Sequence, residues 1–285
     1  GLALWHPKGA RIRSLIEEAR LGARLSHRNL VSVQDLGVAE GIYYLRLDYV
    51  DGADLRRLCD AGERPDAALA LLVAEEIASA LEVLHGVCDD QGRPLGLVHR
   101  DVSPTNILLS RHGDVKLTDY GVVKVTSLAT MTQANVRKGK YAYMSPEQIQ
   151  GRALSPASDQ FALGVTLAEL LCGERPFDGE TPHQVMEAIC QAATPTFDEL
   201  DDELRILLRR LLARDAEERF PSTAALREEL RACRHALYPA SLAELGAWVR
   251  GVLDSDGPEP THDAPALTTG CLTDCDEADD AVDES

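Results

Sequence analysis

Nine residues constrain this chain more than any other stretch: Val98-His99-Arg100-Asp101-Val102-Ser103-Pro104-Thr105-Asn106. They set an Asp and an Asn five residues apart on a loop between apolar runs. A second stretch, Lys116-Leu117-Thr118-Asp119-Tyr120-Gly121, puts another Asp at the end of a β-like segment, 18 residues after the first. Asp101, Asn106 and Asp119 are thereby brought to two adjacent turns. A carboxylate and an amide oxygen can hold a hard divalent cation. The remaining carboxylate is then available to accept a proton.

Phosphoryl transfer with Mg²⁺ uses such a set. An HRD triplet with Asn five positions after its Asp, followed by a DFG-like turn, resembles the eukaryotic-type (Hanks-type) serine/threonine protein kinases, in their bacterial style. The resemblance covers roughly residues 10–236. It implies an α+β fold of two lobes, the small one incomplete (one helix and a few strands) and the large one mainly helical. It also implies ATP and Mg²⁺ as cofactors. Asp101 would accept the proton of a substrate hydroxyl, and Asn106 and Asp119 would hold the metal.

The rest of the chain is read in order against that resemblance. From Ala10 to Leu25 the apolar residues keep helical spacing. The block resembles the small-lobe helix whose carboxylate, here Glu18, pairs a lysine on the preceding strand. Two β-like runs, 30–36 and 42–50, follow, with a turn containing Gly37 and Gly41 between them. Residues 45–52 resemble the hinge, whose backbone at Asp48 and Val50 would bind adenine, with Leu47 as gatekeeper and Leu108 flooring the pocket. Residues 66–87 carry one broad apolar stripe and read as a core helix, with His85 near its end read as structural. Strands 107–109 and 115–117 flank the turn His112-Gly113-Asp114. Further helical stretches are expected at 159–171, 181–192, 199–213, 222–236 and 241–253.

Residues 121–144 lack a regular period and are rich in Ser and Thr, as functional loops often are. By resemblance they form the activation segment, closed by Ser145-Pro146-Glu147. Thr130 and Thr132 are then the leading phosphorylation candidates, open to autophosphorylation, and Arg100 is the partner for their phosphates. The resemblance also implies that Asp159 bonds back to the catalytic loop and that Arg219 pairs Glu147.

Three departures stand out. No Gly-rich loop is present, and the slot of the small-lobe lysine falls on Ala3 or Trp5, so poor ATP turnover is expected of the chain as given. The family's catalytic loop has Lys where this chain has Ser103, and its activation segment has Gly-Thr where this chain has Gly139-Lys140. One reading couples the last two: Lys140 supplies the charge that Ser103 lacks. The missing lysine also supports an alternative function, a pseudokinase that binds protein partners as a scaffold.

Charge and cysteine usage narrow the partners. Net charge is −18, and residues 254–285 hold eleven Asp or Glu with no Lys or Arg. That tail is expected to be a solvated, disordered extension. No clustered positive charge suggests nucleic acid, and no apolar run is long enough for a membrane span. Seven scattered Cys do not read as a disulfide framework, which fits a cytoplasmic setting. The start at Gly1 has no signal-peptide pattern and reads as truncated. The expected organisation is 1–50 partial small lobe, 51–236 large lobe, 237–253 extra helix and 254–285 acidic tail. The partner implied is a protein with a Ser or Thr acceptor.

Overall fold

The computed structural model describes residues 2–5, 22, 25–39, 42–61, 64–119, 140–191, 196–236 and 239–255. Its small sheet is built on a hairpin of β2 (Val33–Ala39) and β3 (Ile42–Leu47). Strand β1 (Leu2–Trp5) pairs the other edge of β3 antiparallel, from Leu2 opposite Arg46 to Trp5 opposite Tyr43. The order is therefore β1-β3-β2.

Gly37 was expected in the turn, yet it lies inside β2. The reason is packing: a Cβ at Gly37 would sit 2.3 Å from the Tyr44 ring that crosses it. A glycine in a strand interior often marks such a close approach. The helix expected over 10–25, with Glu18, lies outside the described residues except for its last part. There, Leu25 is buried in the main core.

A second sheet has the strand order β4-β5-β6. It consists of β4 (Gly52–Asp54), β5 (Ile107–Ser110) and β6 (Val115–Leu117). Gly52 lets the hinge meet β5, since any Cβ there would lie 1.9 Å from the Leu109 carbonyl oxygen. A short helix α1 (Leu55–Asp60) follows β4. It spans too few turns for a sequence period to show it.

The large lobe is organised on two long helices, α2 (Ala67–His85) and α4 (Pro156–Cys172). The Asp66 side chain accepts from Leu69 N–H at 2.8 Å and starts α2. Ser155 and Ser158 form a reciprocal capping box at the start of α4, and Gly173, at φ 80°, stops it. Each helix buries residues around most of its circumference, as a core helix does. The ring of Phe161 on α4 stacks on Phe177 with centroids 5.8 Å apart. Around this pair lie α3 (Pro146–Ile149), α5 (Pro182–Gln191), α6 (Asp202–Leu211) and α7 (Thr223–Ala236). The α6 helix is shorter than its expected span of 199–213.

The last helix, α8 (Leu242–Ser255), buries Leu245, Val249, Val252 and Leu253. Each such side chain stabilises by roughly 1.5–3 kcal/mol relative to exposure. It docks on the turn between β5 and β6. Gly113, at φ 94°, makes the hairpin turn there, under the Leu242 carbonyl.

Candidate active site

The loop from His99 to Asn106 is irregular, so its backbone needs partners other than a strand or helix. Asp159 supplies two of them. Its carboxylate, 1% exposed, accepts from His99 N–H at 2.7 Å and from Arg100 N–H at 2.8 Å. His85 Nε2 bonds the same carboxylate at 2.8 Å, and its Nδ1 bonds the Thr223 hydroxyl at 2.8 Å. The ends of α2 and α7 thus converge on the loop through one carboxylate. Arg100 sits at φ 69°, a left-handed conformation costly for a side-chain-bearing residue. The bonds to its neighbours hold it there, with Gln148 Nε2 donating to its carbonyl at 3.0 Å.

Asn106 bridges the two signature stretches. Its side-chain amide donates to the Asp101 carbonyl at 2.7 Å, and its own carbonyl accepts from Thr118 N–H at 3.0 Å. The ring of His99 bonds the Thr118 carbonyl at 3.1 Å. Asp119 follows at φ 59°, a second left-handed residue beside the first loop. The expected juxtaposition of Asp101, Asn106 and Asp119 is therefore built by hydrogen bonds at adjacent positions. With the Asn106 nitrogen committed to Asp101, its side-chain oxygen is the atom left to face a cation. That orientation, with the Asp119 carboxylate, suits a hard divalent ion.

Ser103 is buried at 2% exposure, and its hydroxyl pairs with Thr105 at 3.1 Å. It opens the short turn Pro104–Asn106 and brings no charge to the site. The side chain of Lys140 lies outside the described residues, as do Thr130, Thr132 and Glu18.

At the hinge, Asp48 N–H donates to the Ser32 carbonyl at 3.0 Å. From its backbone Asp48 can then offer a ligand only its carbonyl. Val50 follows two residues on, and Leu47 ends β3. Leu108 lies on β5 opposite Asp54 of β4 and Lys116 of β6.

Glu147 and Arg219 meet as expected, through two bonds of 2.8 and 3.0 Å. Burial alone would raise the Glu147 carboxyl. Its bonds to Arg219, the Arg219 charge and the Ser158 hydroxyl outweigh that and hold it below its ordinary range. The remaining Arg219 donors go to the carbonyls of Ala157, Ala213 and Arg214.

Two supports were not legible in the sequence. The Tyr143 hydroxyl donates to Glu169 at 2.5 Å, and Arg56 binds both groups, reaching Glu169 at 2.8 Å. This joins α1, the turn at 140–143 and α4 beside the loop. Asn29 donates to Glu76 at 2.6 Å and to the Val115 carbonyl at 2.9 Å, while Arg28 pairs Glu76 at 2.6 Å. Main-chain bonds from Leu117 to Asn29 and from Val31 to Leu117 complete this seam. Partners so far apart in the chain leave no local spacing to read.

Comparisons with known proteins agree with this geometry. A family model described as protein kinase domain matches residues 6–230. The chain is 35% identical over 262 residues to a tyrosine-protein kinase, MasK, of Myxococcus xanthus, covering 89% of this chain and 41% of that protein. It is 38% identical over 185 residues to the serine/threonine-protein kinase PrkC of Bacillus subtilis, covering 65% and 27%. It is 34% identical over 220 residues to the serine/threonine-protein kinase PknL of Mycobacterium tuberculosis, covering 75% and 53%. The chain thus spans only about a quarter to a half of the length of these relatives.

Proposed function

The chain belongs to the protein kinase domain family, and from that premise we propose that it is a serine/threonine protein kinase catalytic domain transferring the ATP γ-phosphoryl group to protein hydroxyls. The observation that carries this reading is the lattice of bonds joining Asp101, Asn106 and Thr118. On this reading those bonds support a base and two cation ligands, on backbone that Asp159 holds in a costly conformation. A scaffold has no chemical use for that arrangement.

Asp101 orients the acceptor hydroxyl and takes its proton. The Asn106 oxygen and the Asp119 carboxylate would hold Mg²⁺, which would supply neutralisation of charge on the phosphates. The Asp48 carbonyl and the Val50 backbone receive adenine beside Leu47 and Leu108. Arg100 awaits a phosphate on Thr130 or Thr132, placed there by autophosphorylation. Lys140 in place of Ser103 supplies positive charge near Asp101, and Glu18 is the carboxylate whose usual lysine partner Leu2–Trp5 does not supply. Among the described residues no helix is long and apolar enough to cross a membrane, and the reading places this domain in the cytoplasm.

One observation favours a pseudokinase acting as a protein-binding module. Strand β1, which by its pairing with β3 occupies the lysine strand's place, contains no lysine over Leu2–Trp5. Transfer of ³²P from [γ-³²P]ATP by the chain and by its Asp101→Asn form decides between the two. Phosphoamino-acid analysis of the product separates Ser or Thr from Tyr acceptors. Incorporation lost in Asp101→Asn supports the kinase. Equal incorporation, or none in either form, overturns it.

A further inference from the structure

The last helix is placed where it can act on the hinge. The backbone of Arg111, in the β5–β6 turn, bonds both. Its N–H donates to the carbonyl of Asp51, the residue after Val50, at 2.7 Å. Its carbonyl accepts from the Arg250 guanidinium of α8. The Arg111 guanidinium repeats the link, 2.8 Å from Asp254 of α8 and 3.9 Å from Asp51. These surface ion pairs contribute little by themselves. What fixes the geometry is the contact of two glycines.

A Cβ on Gly113 would lie 1.8 Å from the Leu242 carbonyl oxygen, and one on Gly246 would lie 2.8–2.9 Å from backbone atoms of Arg111, His112 and Gly113. Helix and turn therefore touch backbone to backbone. Glycine inside a helix costs about 1 kcal/mol relative to alanine. At Gly251, on the same helix, no atom stands within 4 Å of a Cβ. The Gly246 cost is offset by the approach it permits, and that approach ends on the residue that binds the hinge.

We propose that α8 is part of the nucleotide-binding unit and that Arg111 is a positioning residue, relaying the seating of α8 to the Asp51 end of the hinge. The inference rests on the reading of 47–50 as the adenine-binding segment. Loss of α8 docking loosens the hinge backbone and weakens adenine binding without touching Asp101, Asn106 or Asp119. Any segment that follows residue 255 and pulls on α8 would then tune nucleotide affinity.

The test compares Gly246→Val, the milder Gly246→Ala, and Gly251→Ala as control. Amide hydrogen exchange is followed over 48–55 and 108–114, and binding of a fluorescent ATP analogue with Mg²⁺ is measured. Circular dichroism at each step confirms the fold. Gly246→Val is expected to speed exchange of the Arg111 amide at least tenfold. It is also expected to weaken nucleotide binding about fivefold, the scale of one hydrogen bond lost. Gly246→Ala shows smaller shifts in the same direction, and Gly251→Ala none. Unchanged hinge exchange in Gly246→Val, with α8 amides either released or still protected, overturns the relay. A Val50→Pro arm separates the two ideas. If it leaves nucleotide binding intact, the hinge reading fails and the nucleotide role of α8 falls with it, whereas its failure to bind beside unaltered affinity in Gly246→Val sinks the relay alone.

Discussion

The Arg219 guanidinium and the Glu147 carboxylate lie parallel, closing two hydrogen bonds across 72 positions of chain, and neither side chain is more than 4% exposed. Removing one member of a buried pair strands the other charge, at a cost of about 3–5 kcal/mol. Glu147→Ala and Arg219→Ala are each expected to lose that much in urea unfolding. Arg219→Lys keeps the charge but not the fork, and falls between them and the parent chain.

The same pair sets an acid limit. Glu147 is held below its ordinary value of 4.5 in the folded chain. Its contribution is complete above that value and is lost as the pH falls through the lower folded-state one. Stability should therefore drop as the pH falls below the ordinary value of 4.5, and Arg219→Ala should flatten that part of the pH profile. An unchanged acid limb in the variant would count against the pairing as its cause.

Asp159→Asn is expected to free the catalytic loop while keeping its volume. One of the two N–H groups at His99 and Arg100 would then face an amide donor, costing about 1–3 kcal/mol. Faster hydrogen exchange at these two amides is the direct readout. Phosphotransfer should fall by more than the stability loss explains, because Arg100 would relax from its left-handed conformation.

Gly52→Ala places a Cβ against the Leu109 carbonyl. Overpacking of this kind costs about 1–3 kcal/mol, or shifts the strand. Gly86→Ala, whose Cβ would stand 3.2 Å from the Glu82 carbonyl oxygen, is the milder comparison. A thermal melt should rank Gly52→Ala clearly below it.

Tyr143 gives an alkaline counterpart. Burial first, and then the Glu169 charge, push its phenol well above the ordinary value of 10. Its stabilising effect is present below that value and fades as the pH rises past it. In a spectrophotometric titration of the folded chain, Tyr143→Phe should leave the curve unchanged. In the unfolded chain the same substitution removes one tyrosine from the total.

How much of this could be read from residues alone depended on distance along the chain. The nearness of Asp101, Asn106 and Asp119 was legible because the residues fall at short offsets on two stretches joined by one hairpin. The long helices α2 and α4 were legible because burial imposes a period. Gly37 was misplaced because a glycine that opens a turn and one that yields to a ring look alike in sequence. Glu76, Arg56, Tyr143 and Glu169 went unread, since a hydrogen bond between distant segments imposes no local pattern. Glu147 and Arg219 escaped that limit only through resemblance to a family.

The seam at Asn29 redraws the border between the lobes. The bonds from Asn29 and Val31 to β6, and from Arg28 and Asn29 to Glu76, tie 28–31 to strand β6 and helix α2 of the large lobe. Mechanically the chain is thus spliced out of order. A short piece of its beginning is hydrogen-bonded into its middle. Dissection of the molecule at residue 51 would tear out a rivet, and a stable excised large lobe would have to bring residues 25–31 along as a second strand of polypeptide.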